Sequence, residues 1–337
     1  MSSTSTEVRT RPAATKRRRR RSVRRLTGRD KLVVALLLGI PLLLDLIFVW
    51  LPALATVFLS FTKWTGVGGI HLKSCTTAGT LPGLPQPGCV YGVQNYSQAF
   101  NSAITPDFWP AVRHNMLWLL VFIVIATPLG MLFAVILDRG IRGSRVYQSI
   151  LFLPVMLSLA LIGIIWELIY APNLGLINTV IGHNKNSNLI DWLGNPRLNL
   201  WAVLAEATWR QAGYVMVLYL AGLKAVDPAL KEAAQIDGAN SWQTFWRVVF
   251  PVLRPINVVI LVVTVIESLR AFDLVYITGG GNPVKGLELL SVLVTQNIVG
   301  ETQRIGFGST LGVVLLVISL VPISIFLYQV FRREEKK

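Results

Sequence analysis

The chain has 337 residues, of which 53% are hydrophobic and only 15% charged, with a mean hydropathy of +0.56. A soluble domain carries about 25% charged residues, so this composition excludes a globule that covers itself with polar surface and points to lipid as the solvent for much of the chain. The net charge of +15 is uneven: residues 1–31 hold twelve Lys and Arg against Glu7 and Asp30, roughly +10, and the remainder is only mildly basic.

That tail (residues 1–31), rich in Ser, Thr and Arg, reads as a disordered cytoplasmic segment. A poly-Arg run also suits nucleic acid. Here it abuts a long apolar stretch, so retention beside anionic membrane lipids is the simpler reading, with no nucleic-acid partner. The apolar stretch is too long for a cleavable signal and no small-residue cleavage site follows it.

Crossing a bilayer takes about 20 apolar residues, and such runs occur at 32–60, 112–137, 147–170, 199–223, 252–272 and 306–331. The predicted fold class is therefore an all-α polytopic membrane protein with about six transmembrane helices. Residues 32–331 form the transmembrane domain and 332–337 a cytoplasmic C-terminus. Basic residues orient it: the N-terminal tail, Arg139, Arg142 and Arg145, then Lys224, Lys231, Arg247 and Arg254, and finally Arg332, Arg333, Lys336 and Lys337 all fall inside if both termini are cytoplasmic. Asp45 in the first span reads as a packed or hydrated structural residue.

The first outside loop, 61–111, is rich in Gly, Pro and Thr and contains the chain's two cysteines, Cys75 and Cys89. A disulfide suits that compartment, and two free thiols are the alternative. His71, His114 and His183 form no ligand cluster with them, so no metal site is expected.

Ionisable side chains at membrane depth cost about 2.5–3.5 kcal/mol each on insertion scales and rarely face lipid. Glu206 and Arg210 lie four apart in the fourth span; Glu267 and Arg270 lie three apart in the fifth. Each pair shares a helical face and is placed to neutralise itself. Two readings stay open: a buried ion pair holding helices together, or a polar lining for a solute path.

Between these spans, residues 227–250 encode two short helices around a turn. Asp227 before Pro228 is a helix start, Asp237-Gly238 a stop, and Ser241 is placed to cap a second helix whose Phe245, Val248 and Val249 form an apolar face. Pro251 and Pro255 mark the passage to the fifth span.

Glu232-Ala233-Ala234-x-x-Asp237-Gly238-Ala239, followed by Phe245, Val248, Pro251 and Pro255, resembles the EAA loop of ABC-importer permeases, most closely the carbohydrate group of maltose and glycerol-3-phosphate type. Gly92-Val93-Gln94-Asn95-Tyr96 with Phe108-Trp109 and Asn115, then Leu153-Pro154, Trp166 and Gly175-Leu176-Ile177-Asn178, and Phe272 to Gly281 resemble further family segments in the same order. Asn282 interrupts the usual Gly-Gly-Pro. The resemblance spans roughly residues 32–331.

It implies the type I ABC-importer permease fold in a bacterial plasma membrane. The partners it implies are a second homologous permease subunit, two ATPase subunits (or one homodimeric ATPase), and an extracytoplasmic sugar-binding lipoprotein or periplasmic protein. Glu232 would pair with a basic residue of the ATPase, Gly238 make the turn, and Ala233, Ala234 and Ala239 allow close approach. Sugar-contacting positions carried over from the family fall at Ala207, Arg210, Gln211 and Tyr214, then Thr264, Glu267, Ser268 and Ala271, with Arg270 beside them. The chain has no G-x-x-x-x-G-K-[ST] phosphate loop, so it is expected to be no enzyme and to bind no cofactor, with ATP and Mg on the partner ATPase. The solute expected is a di- or oligosaccharide. Glycerol phosphate or another small polar solute is the alternative, and a membrane-embedded glycosyltransferase would need a catalytic carboxylate or metal cluster that the sequence lacks.

Overall fold

The computed structural model describes residues 28–74, 88–183, 189–280, 284–300 and 303–334. The chain divides into two compact units, Met1–Ala53 and Leu54–Lys337. In the first, helix α1 (Gly28–Asp45) runs into a π-helical turn, Leu46–Trp50. There Trp50 Nε1 donates to Asp45 Oδ2 at 3.1 Å, so the intramembrane carboxylate is held by its own segment.

The helical run continues as α2 (Leu51–Leu59). A two-stranded parallel sheet, β1 (Ile70–Ser74) and β2 (Gly88–Val90), adds a small β element to the all-α expectation, with Ile70 opposite Gly88 and His71 opposite Cys89. Cys75 lies outside the described residues, and with it the Cys75–Cys89 pairing. Helices α3 (Gln94–Phe100), α4 (Phe108–Val121), α5 (Thr127–Asp138), α6 (Ser144–Met156), α7 (Leu159–Tyr170) and α8 (Leu176–Val180) follow. Then come α9 (Asn199–Lys224), α10 (Pro228–Ile236), α11 (Ser241–Thr244), α12 (Phe250–Val252), α13 (Arg254–Leu269), α14 (Asp273–Thr278), α15 (Leu290–Ile298) and α16 (Ile305–Glu334).

Among the described residues three helical stretches are long and apolar enough to cross a membrane: Lys31–Leu59, Phe108–Asp138 and Ile305–Ser324. Three more spans exist only as bent pairs. The third expected span, 147–170, is a correction: it breaks by 103° between α6 and α7. Leu157 and Ser158 are extended there, and Ser158 caps α7 by accepting from Leu161 N at 3.2 Å. The fourth is α9, 26 residues long, followed by α10 at 73°; the fifth is α13, joined at 73° to the helices before it. At 16 residues α13 reaches only about 24 Å, short of a hydrocarbon core of about 30 Å, and the stretch Arg254–Thr278 is completed by α14.

Each π-helical turn among the described residues ends two residues before a proline: Leu46–Trp50 before Pro52, Phe122–Ala126 before Pro128, Phe245–Val249 before Pro251. Proline lacks an N–H and its ring collides with the carbonyl four residues back; a wider turn moves that carbonyl aside. In the second case Thr127 gives Phe122 O both its backbone N–H, which closes the π turn, and its Oγ1 hydroxyl at 2.9 Å.

α9 is the centre of the second unit, packed by α4 and α5 on one side and by α6, α13 and α14 elsewhere. Close approach is built from small residues. A Cβ on Gly130 would stand 2.7 Å from Ala212 O, and one on Gly213 2.3 Å from Leu151 O. Residues that carry the family resemblance act as polar locks. Buried Asn95 donates to Ser60 O (2.9 Å) and Thr62 O (2.8 Å), and Thr310 Oγ1 donates to Ser60 O at 2.9 Å. Asn115 Oδ1 accepts from Leu290 N at 3.0 Å, and Asn178 ties Pro172 O and Ile190 O while accepting from Trp192 Nε1.

Candidate functional site

A cavity of about 150 Å³ lies where α4, α7, α9 and α13 meet. Its charged lining comes from Arg210 on α9, Glu267 at the end of α13, and Arg270 and Asp273 at the α13–α14 break; Trp118, Phe122 and Phe272 supply rings. Leu159, the first residue of α7, also lines it. Two helix breaks thus open onto the same space. Interrupted backbone at membrane depth is tolerated where it faces a hydrated cavity rather than lipid.

Arg210 Nη1 stands 3.4 Å from Glu267 Oε2, with both side chains less than a third exposed. This corrects the pairing expected along each helix: the ion pair runs across helices, from α9 to α13. Glu206, one turn earlier, is fully buried and accepts from Thr278 Oγ1 of α14 at 3.3 Å. Arg270 has no ion pair among the described residues. Trp118 Nε1 and Arg210 Nε are buried without a protein hydrogen-bond partner. Both belong to side chains that line the cavity, which leaves two N–H donors to be satisfied by water or a solute.

Of the path residues carried over from the family, Ala207, Arg210, Glu267 and Ala271 line this cavity, as does Arg270 beside them. Gln211, Thr264 and Ser268 do not. They are buried at 1%, 1% and 0% exposure, with Gln211 Nε2 donating to Thr264 Oγ1 at 3.5 Å and Ser268 Oγ to Val265 O at 2.9 Å. A residue next to a lining position sits about 100° around the helix, which turns Gln211 and Ser268 into the helix interface. Tyr214 is half-buried one turn beyond Arg210 and outside the cavity. Sequence reading missed Trp118, Phe122, Phe272 and Asp273. The four-residue spacing of Trp118 and Phe122 was a usable signal, since it puts both rings on one face.

The EAA-like segment forms a second site at the far end of α9. Asp227 accepts from Ala229 N at 2.9 Å and Pro228 opens α10. The helix closes with a paired set of backbone bonds, Ala239 N to Ala234 O and Gly238 N to Gln235 O, both 3.0 Å, with Gly238 at φ +79°. Asn240, rather than the expected Ser241, caps α11: its side chain accepts from Gln243 N at 2.8 Å while Gln243 Oε1 accepts from Asn240 N at 3.0 Å. Ser241 is already helical.

Glu232, Ala233, Asp237 and Gly238 are exposed, and Ala239 is half-buried. Ala234 departs from its expected role in partner approach: it is 8% exposed and packs inward. Ile236 and Trp242 stand out at 86% and 70% exposure on the same turn. On the inner face Lys231 Nζ meets Asp138 Oδ2 of α5 at 3.1 Å.

Residues 126–337 match the family described as the binding-protein-dependent transport system inner membrane component. The chain belongs to this family. It is 34% identical, over 73% of its length and 87% of the relative's, to an osmoprotective compounds uptake permease of Synechocystis sp.. It is 30% identical, over 88% and 87%, to a xylose/arabinose import permease of Haloferax volcanii. Its fold matches a chain in the crystal structure of a bacterial ABC transporter involved in the import of the acidic polysaccharide alginate, with a TM-score of 0.70 over 90% of this chain and 96% of that one, at 21% identity. This transport-system component is a multi-pass membrane protein and a transport subunit, not an enzyme.

Proposed function

We propose that the chain is one permease subunit of an ATP-driven importer that moves a sugar delivered by an extracytoplasmic binding protein, with both termini and the 227–250 loop in the cytoplasm. A second permease completes the pathway, and ATP with Mg is held by separate ATPase subunits. The family and the sugar-importing relatives support the class of cargo. The observation that carries the reading is the α9–α13 cavity, where Arg210, Glu267, Arg270 and Asp273 balance two positive against two negative charges beside Trp118 and Phe272. Charged donors and acceptors suit hydroxyls, and rings suit the apolar faces of a pyranose.

The exposed side of the α10–α11 turn, with Glu232, Ala233, Ile236 and Trp242, is the surface offered to the ATPase. Its closed hydrogen-bond set and the Lys231–Asp138 pair make it stiff enough to pass a rigid-body movement to α5 and α9. A smaller phosphorylated solute is the second reading, favoured by Arg270 lining the cavity without an ion-pair partner among the described residues.

The test is uptake by the reconstituted transporter with its binding protein, across a panel of neutral oligosaccharides and glycerol phosphate. Competition by a neutral sugar, lost in Glu267→Gln, is the result expected. Uptake of glycerol phosphate alone would move the assignment to the second reading.

A further inference from the structure

Between the α10–α11 turn and the end of α5 lies a second cavity of about 210 Å³, open to the surface at Arg139, Gln235 and Ser241 and closed at Thr244 and Val249. Its polar lining is Asp138 and Arg139 from the end of α5, Lys231 and Gln235 from α10, and Ser241 and Thr244 from α11. Leu223, Phe245 and Val249 close its apolar side. The volume has room for a group the size of several waters.

Its hydrogen-bonding balance is lopsided. Asp138 supplies the one carboxylate, and it is already engaged by Lys231 at 3.1 Å. The rest of the lining brings the Arg139 guanidinium, the remaining Lys231 N–H groups, two hydroxyls and a carboxamide. Thr244 is 6% exposed, and its Oγ1 is buried with no hydrogen-bond partner. A helical threonine ordinarily bonds the carbonyl one turn back, so this hydroxyl is left to something inside the cavity. A buried hydroxyl left without a partner favours an occupant that hydrogen-bonds to it.

We propose that this cavity binds a phosphate group. One tetrahedral oxyanion accepts from Arg139, Lys231 and Thr244 together, and its charge meets a lining of net charge +1 made of Arg139, Lys231 and Asp138. Arginine forks and charge-assisted hydrogen bonds are the strong form of such recognition. The occupant bridges α5 to the turn and reinforces the Lys231–Asp138 pair, so it stiffens the join between the bundle and the ATPase-facing surface. Phosphate bound here regulates transport whatever solute the α9–α13 cavity carries. The chemistry has two sources at a cytoplasmic membrane surface: free phosphate (or a phosphomonoester) and the headgroup of an anionic phospholipid.

The experiment uses the complete transporter in neutral detergent, stripped of lipid. Its unfolding midpoint is followed against potassium phosphate, with potassium chloride at matched ionic strength as the control. A saturable rise is expected, with half-saturation shifted about tenfold or more in Arg139→Gln and Thr244→Val. Thr244→Ser, which keeps the hydroxyl, and Arg142→Gln, which alters a neighbouring surface arginine, should respond like the parent. Thr244→Val removes a hydroxyl with no protein partner, so its folding should be intact.

A parallel arm replaces phosphate with phosphatidylglycerol or phosphatidylcholine. Stabilisation by phosphatidylglycerol alone, with the same pattern among variants, identifies the lipid headgroup as the source. No response to either ligand, or an equal response in Arg139→Gln and Thr244→Val, means the cavity holds only water and overturns the proposal.

Discussion

Arg210 and Glu267 lie 57 residues apart in the chain, yet Nη1 and Oε2 meet at 3.4 Å across α9 and α13. The pair closes one wall of a cavity at two helix breaks. It fixes the relative rotation of the two helices and also presents the charges a hydroxylated solute would engage.

If the pair does both, losing one charge hurts twice. Arg210→Met or Glu267→Gln should lower assembly by about 1–2 kcal/mol, a value discounted from that of a fully buried pair because both side chains are partly exposed. Uptake should fall further, while binding of the ATPase to the membrane complex persists. The check is a double-mutant cycle with Arg210→Glu/Glu267→Arg, scored for assembly and for uptake. Recovery of assembly without uptake fits a solute-contacting pair; unchanged uptake kinetics in Glu267→Gln would sink the assignment.

Gly238 holds φ at +79°, where a Cβ costs roughly 1–2 kcal/mol. Gly238→Ala is expected to loosen the α10–α11 turn and uncouple ATP hydrolysis from uptake. Gly238→Asn should be milder, since asparagine enters this backbone region more readily. The ratio of sugar moved to ATP hydrolysed, measured for both variants, decides it. Equal ratios would show that the turn's backbone does not matter.

The capping box assigns unequal weight to two neighbouring polar residues. Asn240→Ala should cost about 1 kcal/mol and fray α11, whereas Ser241→Ala should be nearly neutral. Hydrogen exchange over residues 240–250 gives the comparison, and the reverse order would restore Ser241 as the cap.

Gly213 packs under Leu151 O with no room for a side chain. Gly213→Val should therefore push α6 from α9 and destabilise the bundle by about 1–3 kcal/mol. Thermal unfolding of the purified complex reads this directly; a midpoint within error of the parent would mean that α6 moves freely away from α9.

By itself, the sequence determined that the chain lives in lipid, where its long apolar runs lie, and that residues 227–250 form a helix, a glycine stop and a second helix. These follow from local chemistry: hydropathy over about 20 residues, a proline after an aspartate, and the left-handed backbone that glycine allows. Periodicity also named Arg210 and Glu267, because ionisable groups at that depth must face protein or water.

Their partnership was not legible. A spacing of four makes Glu206 and Arg210 neighbours on one helix, but it does not say which facing helix each will meet, and α14 claims the first while α13 takes the second. Tertiary packing likewise decided that the third span breaks at Ser158, that Gln211, Thr264 and Ser268 serve helix contact, and that Ala234 and Lys231 look inward. Which side of a helix is buried depends on the neighbours that cover it, and in this bundle those neighbours come from distant parts of the chain.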